Sequence, residues 1–130
     1  MRARELLKES ADSYANMHNA LRDFLPLAMN ELGLQSVPAI KIERTLNYNG
    51  QPRFGSFSDR GIELGINGRH PVDVCRTLAH ELVHFKQGQA NLLNDQSGET
   101  GSNEENQANS VAGIIMRKFS KEFPEYINGQ

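Results

Sequence analysis

The chain has 130 residues, which is enough for one domain with a hydrophobic core of its own. Its 14 Lys and Arg residues against 16 Asp and Glu residues give a formal net charge of −2, and neither sign forms a long block. This balance predicts no nucleic-acid partner, and because no apolar run reaches the length of a bilayer span we also expect no membrane partner. We expect a single domain over residues 1–130, in an oligomeric state that composition leaves open.

Cysteine content bears on the compartment. Cys75 is the only cysteine, so the chain cannot form an intrachain disulfide, and a small buried apolar role is expected for it. The basic residues at the start are followed by acidic and polar ones instead of an apolar segment, which is unlike a signal peptide. The expected location is cytoplasmic.

The first predicted element is an amphipathic helix from Ala3 to about Leu25, because apolar residues recur there at spacings of three and four. Pro26 is expected to interrupt it or to open a new turn with Asp23 as N-cap, and Gly33 is expected to end it. His18 falls on the apolar stripe, where a histidine is more often a hydrogen-bonded core residue than a metal ligand.

Three short strands are predicted next, from the alternation of apolar and polar residues. The first runs from Ile40 to Leu46, and Asn49–Gly50 after it is typical of a tight turn. The second covers 54–57, where the preceding proline favours an edge position, and the third covers 62–66.

The second predicted helix begins near Pro71 and is expected to end at Gly88. It contains His80, Glu81 and His84 in a HExxH pattern. Histidines four residues apart face the same way on a helix, so one metal ion can touch both, and the glutamate can reach a water held by that metal. The same five residues also occur by chance on solvated helix faces, so the pattern needs a third ligand.

Residues 89–103 are rich in Asn, Gln, Ser and Gly, which predicts a long loop. A mobile flap beside the site and a plain linker are both compatible with this composition.

A last helix is predicted from the capping-box pair Ser102 and Glu105, followed by Ala108, Ala112, Ile115 and Phe119 on one face. Glu105 would either bond back to the cap or point at the motif helix. It lies within about 40° of the centre of the apolar stripe, where a carboxylate is costly unless it is paired or bound to metal. This favours Glu105 as the third ligand over the other nearby acidic residues, which are Asp95, Glu99 and Glu104.

HExxH followed by the ExxAN sequence at 105–109 resembles the gluzincin zinc metallopeptidases, and in particular the compact minigluzincins and the ImmA/IrrE-type peptidases. The resemblance implies an α+β, zincin-like fold and a Zn²⁺ cofactor held by His80, His84 and Glu105. It also implies that Glu81 is the general base and that Asn109 orients His80. The metzincin pattern is excluded, because it needs other residues where this chain has Gln87 and Ala90.

The resemblance further implies a mixed sheet in which the strands of Ile40 and Ile62 are neighbours. The outer edge would then bind a substrate as an added strand, and Gly55 would let the substrate backbone approach closely. The residues expected along this edge are Phe54, Gly55, Ser56 and Phe57.

The expected function is that of a zinc-dependent endopeptidase acting on a protein or peptide. A group that stabilises the oxyanion is expected among His70, Tyr48 and Tyr126, without a motif to choose between them. One alternative is a non-catalytic, zinc-bound module that captures a peptide at the sheet edge. Another is a regulatory protein without metal, in which HExxH is coincidental.

Overall fold

The structure, a computed structural model, describes residues 3–58, 60–89 and 102–127, with side chains described from residue 15 onward except that of Tyr48. The described part of the chain is α+β, with four helices and a small mixed sheet. In chain order its elements are α1 (Ala3–Leu32), β1 (Ile40–Glu43), β2 (Leu46–Tyr48), β3 (Gln51–Arg53), β4 (Gly55–Ser58), β5 (Gly61–Gly65), α2 (Pro71–Gln89), α3 (Asn103–Glu122) and α4 (Pro124–Ile127).

Helix α1 passes through Pro26 without a break, so the expected interruption is wrong. A proline inside a helix costs about 3 kcal/mol because it removes one hydrogen bond and crowds the preceding turn. Phe24 and Ala28, on either side of Pro26, are fully buried. Their packing holds the helix on the core, so tertiary contacts outweigh the local preference.

The predicted end of α1 at Gly33 is confirmed, whereas the expected core position of His18 is wrong. Gly33 has a φ of 68°, and the N–H of Leu34 donates to the carbonyl of Met29 at 2.9 Å, which is the glycine-terminated helix end that was predicted. His18 is exposed, so neither a core role nor a ligand role fits it.

The three-stranded sheet has the order β1-β5-β4. Strand β1 pairs with β5 in parallel, with Ile40 opposite Ile62, and β4 pairs with β5 in antiparallel fashion, with Gly55 opposite Leu64. The mixed sheet with its 54–57 segment at the edge is therefore confirmed, except that the strand begins at Gly55 and Phe54 lies just before it.

A separate hairpin of β2 and β3 was not predicted. The first strand was expected to continue to Leu46, but it ends at Glu43, and Leu46 pairs with Arg53 in the hairpin. Asn49 and Gly50 have φ values of 52° and 77°, the positive values that a two-residue hairpin turn requires. The predicted turn is confirmed, although it joins different strands.

The core lies between the sheet and helices α1, α2 and α3. Where α1 meets α3, the rings of Phe24 and Phe119 pack edge to face with centroids 5.1 Å apart.

Cys75 is buried as expected, and burial raises the pKa of its thiol to about 12. Gly88 lies within α2 instead of ending it. No helix in the described ranges has the length and apolar character needed to cross a bilayer.

Candidate metal centre and cleft

Helices α2 and α3 bring the predicted ligands together. The first turn of α3 is capped by Ser102, whose hydroxyl accepts a hydrogen bond from the backbone N–H of Glu105 at 3.1 Å. The carboxylate of Glu105 points instead at the histidines of α2. Of the two roles predicted for the Glu105 side chain, the structure shows the one at the histidines, and Ser102 makes the helix cap with its own hydroxyl.

The cluster is tight. Nε2 of His80 lies 2.8 Å from one carboxylate oxygen of Glu105, and Nε2 of His84 lies 3.0 Å from the other. The two Nε2 atoms are 3.2 Å apart. Within the part of the chain that the structure describes, this is the group of His, Cys, Asp and Glu side chains placed to hold a metal ion.

These separations suit a small ion with nitrogen and oxygen ligands. Tetrahedral zinc with bonds of about 2.0–2.1 Å places its ligand atoms about 3.3 Å apart, close to the spacings in the cluster. The residues present therefore fit such an ion, and the cluster is positioned to hold a metal whose identity the geometry leaves open.

Burial favours the ligand form of His80. Burial lowers the pKa of its imidazole below the usual value, against the opposing effect of the Glu105 carboxylate. A neutral imidazole is the form that binds metal. Asn109, one turn after Glu105, hydrogen-bonds to His80, which is the partnership expected for it.

Gln87 has the corresponding position beside His84, and it was not predicted as a site residue. Its Nε2 donates to the carbonyl of Glu104 at 3.0 Å and to Oε1 of Gln107 at 2.6 Å. Its Oε1 is therefore left to accept from Nδ1 of His84 at 2.8 Å, so Nε2 of that ring presents its lone pair to the cluster. The signal in the sequence was a polar residue three positions after His84, on the same helical face.

Glu81 lies beside the cluster and is only 9% exposed. Burial raises the pKa of its carboxyl to about 7, and the negative charge of Glu105 adds to this effect, while His84 and Arg53 oppose it. The carboxyl thus has a pKa suited to gaining and losing a proton near neutral pH.

His80 and Glu81 both open onto a cleft of about 450 Å³. The cleft lies beside the contact between α2 and the start of β4. Its other lining residues are Arg53, Phe54, Gly55, Arg76, Thr77 and Asn109.

On its outer edge β4 pairs with no other strand in the described part of the chain, and its first residue, Gly55, lines this cleft. The N–H of Gly65 donates to the carbonyl of Phe54 at 2.9 Å, so Phe54 is in a hydrogen-bonded pair with β5. Because such pairs alternate with non-bonded ones in an antiparallel ladder, Gly55 and Phe57 direct their N–H and C=O groups away from β5. Phe54 itself is 64% exposed at the mouth of the cleft.

Gly55 is required for a reason different from the one expected. A Cβ at this position would lie 2.5 Å from Cγ2 of Thr77 and 3.5 Å from Cγ of Glu81. The missing side chain therefore makes room for α2, and the close approach of a substrate backbone stays a prediction. Ser56 follows on the opposite face of the strand, away from α2.

Arg69 holds the edge strand against α2 and was also not predicted. Its guanidinium donates to the carbonyls of Gly65 at 2.8 Å and Phe54 at 3.3 Å, and to Oγ1 of Thr77 at 2.6 Å. It also lies 4.3 Å from the centroid of the Phe54 ring. One side chain therefore connects β4, β5 and α2 beside the cleft.

Neither His70 nor Tyr126, two of the three predicted oxyanion donors, lies at the cluster. His70 is exposed, and its Nδ1 accepts from the N–H of Val72 at 3.1 Å, so it caps the start of α2. Tyr126 stacks on Phe119, about 20 Å along α3 from Glu105 at 1.5 Å per residue. The side chain of Tyr48 is outside the described part of the structure.

Tyr126 instead joins α4 to α1. Its hydroxyl donates to Oδ2 of Asp23 at 2.5 Å, so Asp23 is not the helix cap that was expected. Tyr126 is therefore part of the packing at the far end of the molecule. The predicted flap at 89–103 falls almost wholly on residues 90–101, which lie outside the described residues.

Comparisons with protein-family models, with curated proteins and with solved structures found no match.

Proposed function

We propose that this protein is a zinc-dependent endopeptidase of the gluzincin type, with a zincin-like fold. The observation that carries the proposal is the convergence of His80, His84 and Glu105 beside a buried glutamate, Glu81, in a cleft that borders a free strand edge. Each part corresponds to one requirement of peptide hydrolysis: a metal site, a base and a place for an extended substrate.

Zinc is the metal we propose, because two histidines and one glutamate form a ligand set used by zinc peptidases. When bound, zinc supplies Lewis-acid chemistry, lowering the pKa of water and polarising a carbonyl. Two histidines and a carboxylate are also a ligand set for Fe(II), so metal analysis has to distinguish the two ions.

Glu81 is the proposed general base. Its carboxylate would take a proton from the attacking water and pass it to the leaving amine, and its pKa of about 7 suits both transfers. Its side chain is buried where α2 packs against Gly55, and this burial keeps the carboxyl in place during the proton transfers.

The substrate is proposed to bind as an extended peptide along β4. The outward N–H and C=O groups of Gly55 and Phe57 would form the main-chain hydrogen bonds of strand addition. Such bonds do not depend on side chains, so specificity has to come from the residues around the cleft.

The proposal is tested first by Glu81→Gln, which keeps the size of the side chain and removes the base. The variant should retain stoichiometric zinc and lose peptide cleavage by several orders of magnitude, measured with a quenched fluorescent peptide library. Full activity in this variant would contradict the mechanism. Zinc-loaded wild type that binds peptides at the β4 edge and cleaves none would instead support the non-catalytic interaction module.

The metal site is tested by zinc and iron content in purified wild type, His84→Ala and Glu105→Ala. Both variants should lose the metal. Glu104→Ala is the matched control, because it removes a carboxylate from the same helix turn but not from the cluster. Metal-free wild type that takes up no zinc would favour the regulatory protein without metal.

A further inference from the structure

The two walls of the cleft run side by side in the same direction. Near its start β4 packs against the middle of α2, where Gly55 meets Thr77 and Glu81. Two residues later the ring of Phe57 contacts that of Phe85 farther along α2, with centroids 6.1 Å apart. Both β4 and the HExxH segment therefore begin at the same end of the cleft, which is the end near Gly55 and Thr77.

Two arginines lie at that end. Arg53 comes two residues before β4, and Arg76 comes one helical turn before His80, and both line the cleft together with His80 and Glu81. The charge of Arg53 is near enough to act on Glu81.

Arg76 keeps donors for a ligand. Its side chain is 58% exposed, and one nitrogen is 3.5 Å from a carboxylate oxygen of Asp73. A guanidinium has several N–H groups in a planar fork, so this contact occupies only part of it. The described residues lining the cleft thus place two arginines and one carboxyl, that of Glu81, at this end, and Asp73 beside the lining offsets part of the charge of Arg76.

We propose that Arg53 and Arg76 form a subsite for a carboxylate of the peptide substrate, on the side that is C-terminal to the bond being cleaved. The carboxylate is either an acidic side chain or the C-terminal carboxylate of a short peptide. This inference rests on the proposed function for the cleavage step, and the binding that it describes does not depend on cleavage.

The charge of the cleft also selects the direction of the peptide. A peptide added parallel to β4 would bring its N-terminal side, with any free ammonium group, to the two arginines, where like charges repel. A peptide added antiparallel to β4 brings its C-terminal side there, and antiparallel pairing is slightly more stable for each residue. Guanidinium and carboxylate then meet as charge-assisted hydrogen-bond partners.

The test measures binding of fluorescein-labelled peptides to the full chain treated with chelator, so that neither cleavage nor a metal affects affinity. One pair of peptides differs only in a C-terminal carboxylate or amide. A second pair has an amidated end and differs in an internal Glu or Gln. In at least one pair we expect the carboxylate peptide to bind about five- to tenfold more tightly, with a difference that shrinks in high salt.

The variants Arg53→Gln and Arg76→Gln should each reduce this difference. Arg60→Gln is the matched control, because Arg60 is an exposed arginine in the turn between β4 and β5 that does not line the cleft. A preference in the first pair identifies the C-terminal carboxylate as ligand, and one in the second pair identifies an acidic side chain. Equal affinities in both pairs, or a preference that survives in both arginine variants, would overturn the proposal.

Cleavage of the same peptides by zinc-loaded wild type separates the two proposals. A carboxylate preference in binding without any cleavage would leave the subsite standing and remove the endopeptidase. Cleavage at equal kcat/KM for both members of each pair would support the endopeptidase and argue against the carboxylate subsite.

Discussion

Oε1 of Gln87 lies 2.8 Å from Nδ1 of His84, and this one contact decides which ring nitrogen faces the cluster. The amide is itself held by two further hydrogen bonds to α3, so the orientation of a ligand on one helix depends on the position of the other.

The variant Gln87→Met keeps a similar volume and removes the acceptor. We expect zinc affinity to fall about 10- to 100-fold, as is typical when the partner of a ligating histidine is lost. Competition with a chromophoric chelator measures this, with exposed Gln89→Met as control. A lower free energy of unfolding with unchanged zinc affinity would show that Gln87 stabilises the fold and does not affect the metal site.

Zinc should stabilise the fold, because its ligands come from two helices. At a free zinc concentration about 100 times the dissociation constant, linkage gives about 2.7 kcal/mol, which corresponds to roughly 10 °C in Tm for a domain of this length. Differential scanning fluorimetry should show this shift in wild type and in Glu104→Ala. Its persistence in Glu105→Ala would argue against the cluster as the binding site.

The stability of the metal-free protein should depend on Glu81. Burial raises the pKa of this carboxyl from 4.5 to about 7, so the folded chain holds the proton more tightly than the unfolded chain. The contribution of Glu81 to stability is then complete below pH 4.5, decreases as the pH rises to about 7, and is flat above. It amounts to at most roughly 3.5 kcal/mol, at about 1.4 kcal/mol for each pKa unit.

Urea unfolding of wild type and Glu81→Gln between pH 4.5 and 8 measures this dependence as a difference between the two proteins. The lowered pKa of His80 gives a slope of opposite sign, but that slope is present in both proteins and largely cancels. Parallel curves for the two proteins would refute the prediction.

Gly55→Ala should destabilise the fold by about 1–3 kcal/mol, because the new Cβ would overlap Thr77, which hydrogen bonds to Arg69 and to the carbonyl of Asp73 hold in place. Gly113→Ala is the opposing control. Its Cβ would meet only the end of Arg117 at 3.7 Å, so it should stabilise α3 by about 0.5–1 kcal/mol. Thermal unfolding should show a lower Tm for Gly55→Ala and a higher Tm for Gly113→Ala. An unchanged Tm in Gly55→Ala would show that β4 shifts to accommodate the new Cβ without cost.

Local patterns were sufficient for several elements. The apolar stripe and Gly33 located the first helix and its end, and Asn49–Gly50 located a hairpin turn, because each depends on a preference of the backbone itself. The spacing of His80 and His84 similarly required only a helix. The strand order came from the resemblance and not from local patterns.

Local patterns failed where distant contacts compete with them. Pro26 is compatible with a helix because Phe24 and Ala28 are buried against other elements. Tyr126 was a possible site residue by type alone, and its bond to Asp23 places it at the other end of the molecule.

The sequence by itself determined which chemical groups are available and which of them share a helical face, since these follow from residue type and from the period of the helix. Only the tertiary structure decided that Glu105 reaches both histidines across the gap between α2 and α3. The same holds for the two bonds to α3 that hold the Gln87 amide beside His84, and for Arg69, which joins the strand edge to the motif helix. These contacts join residues whose relative positions depend on the packing of whole elements, which no local pattern encodes.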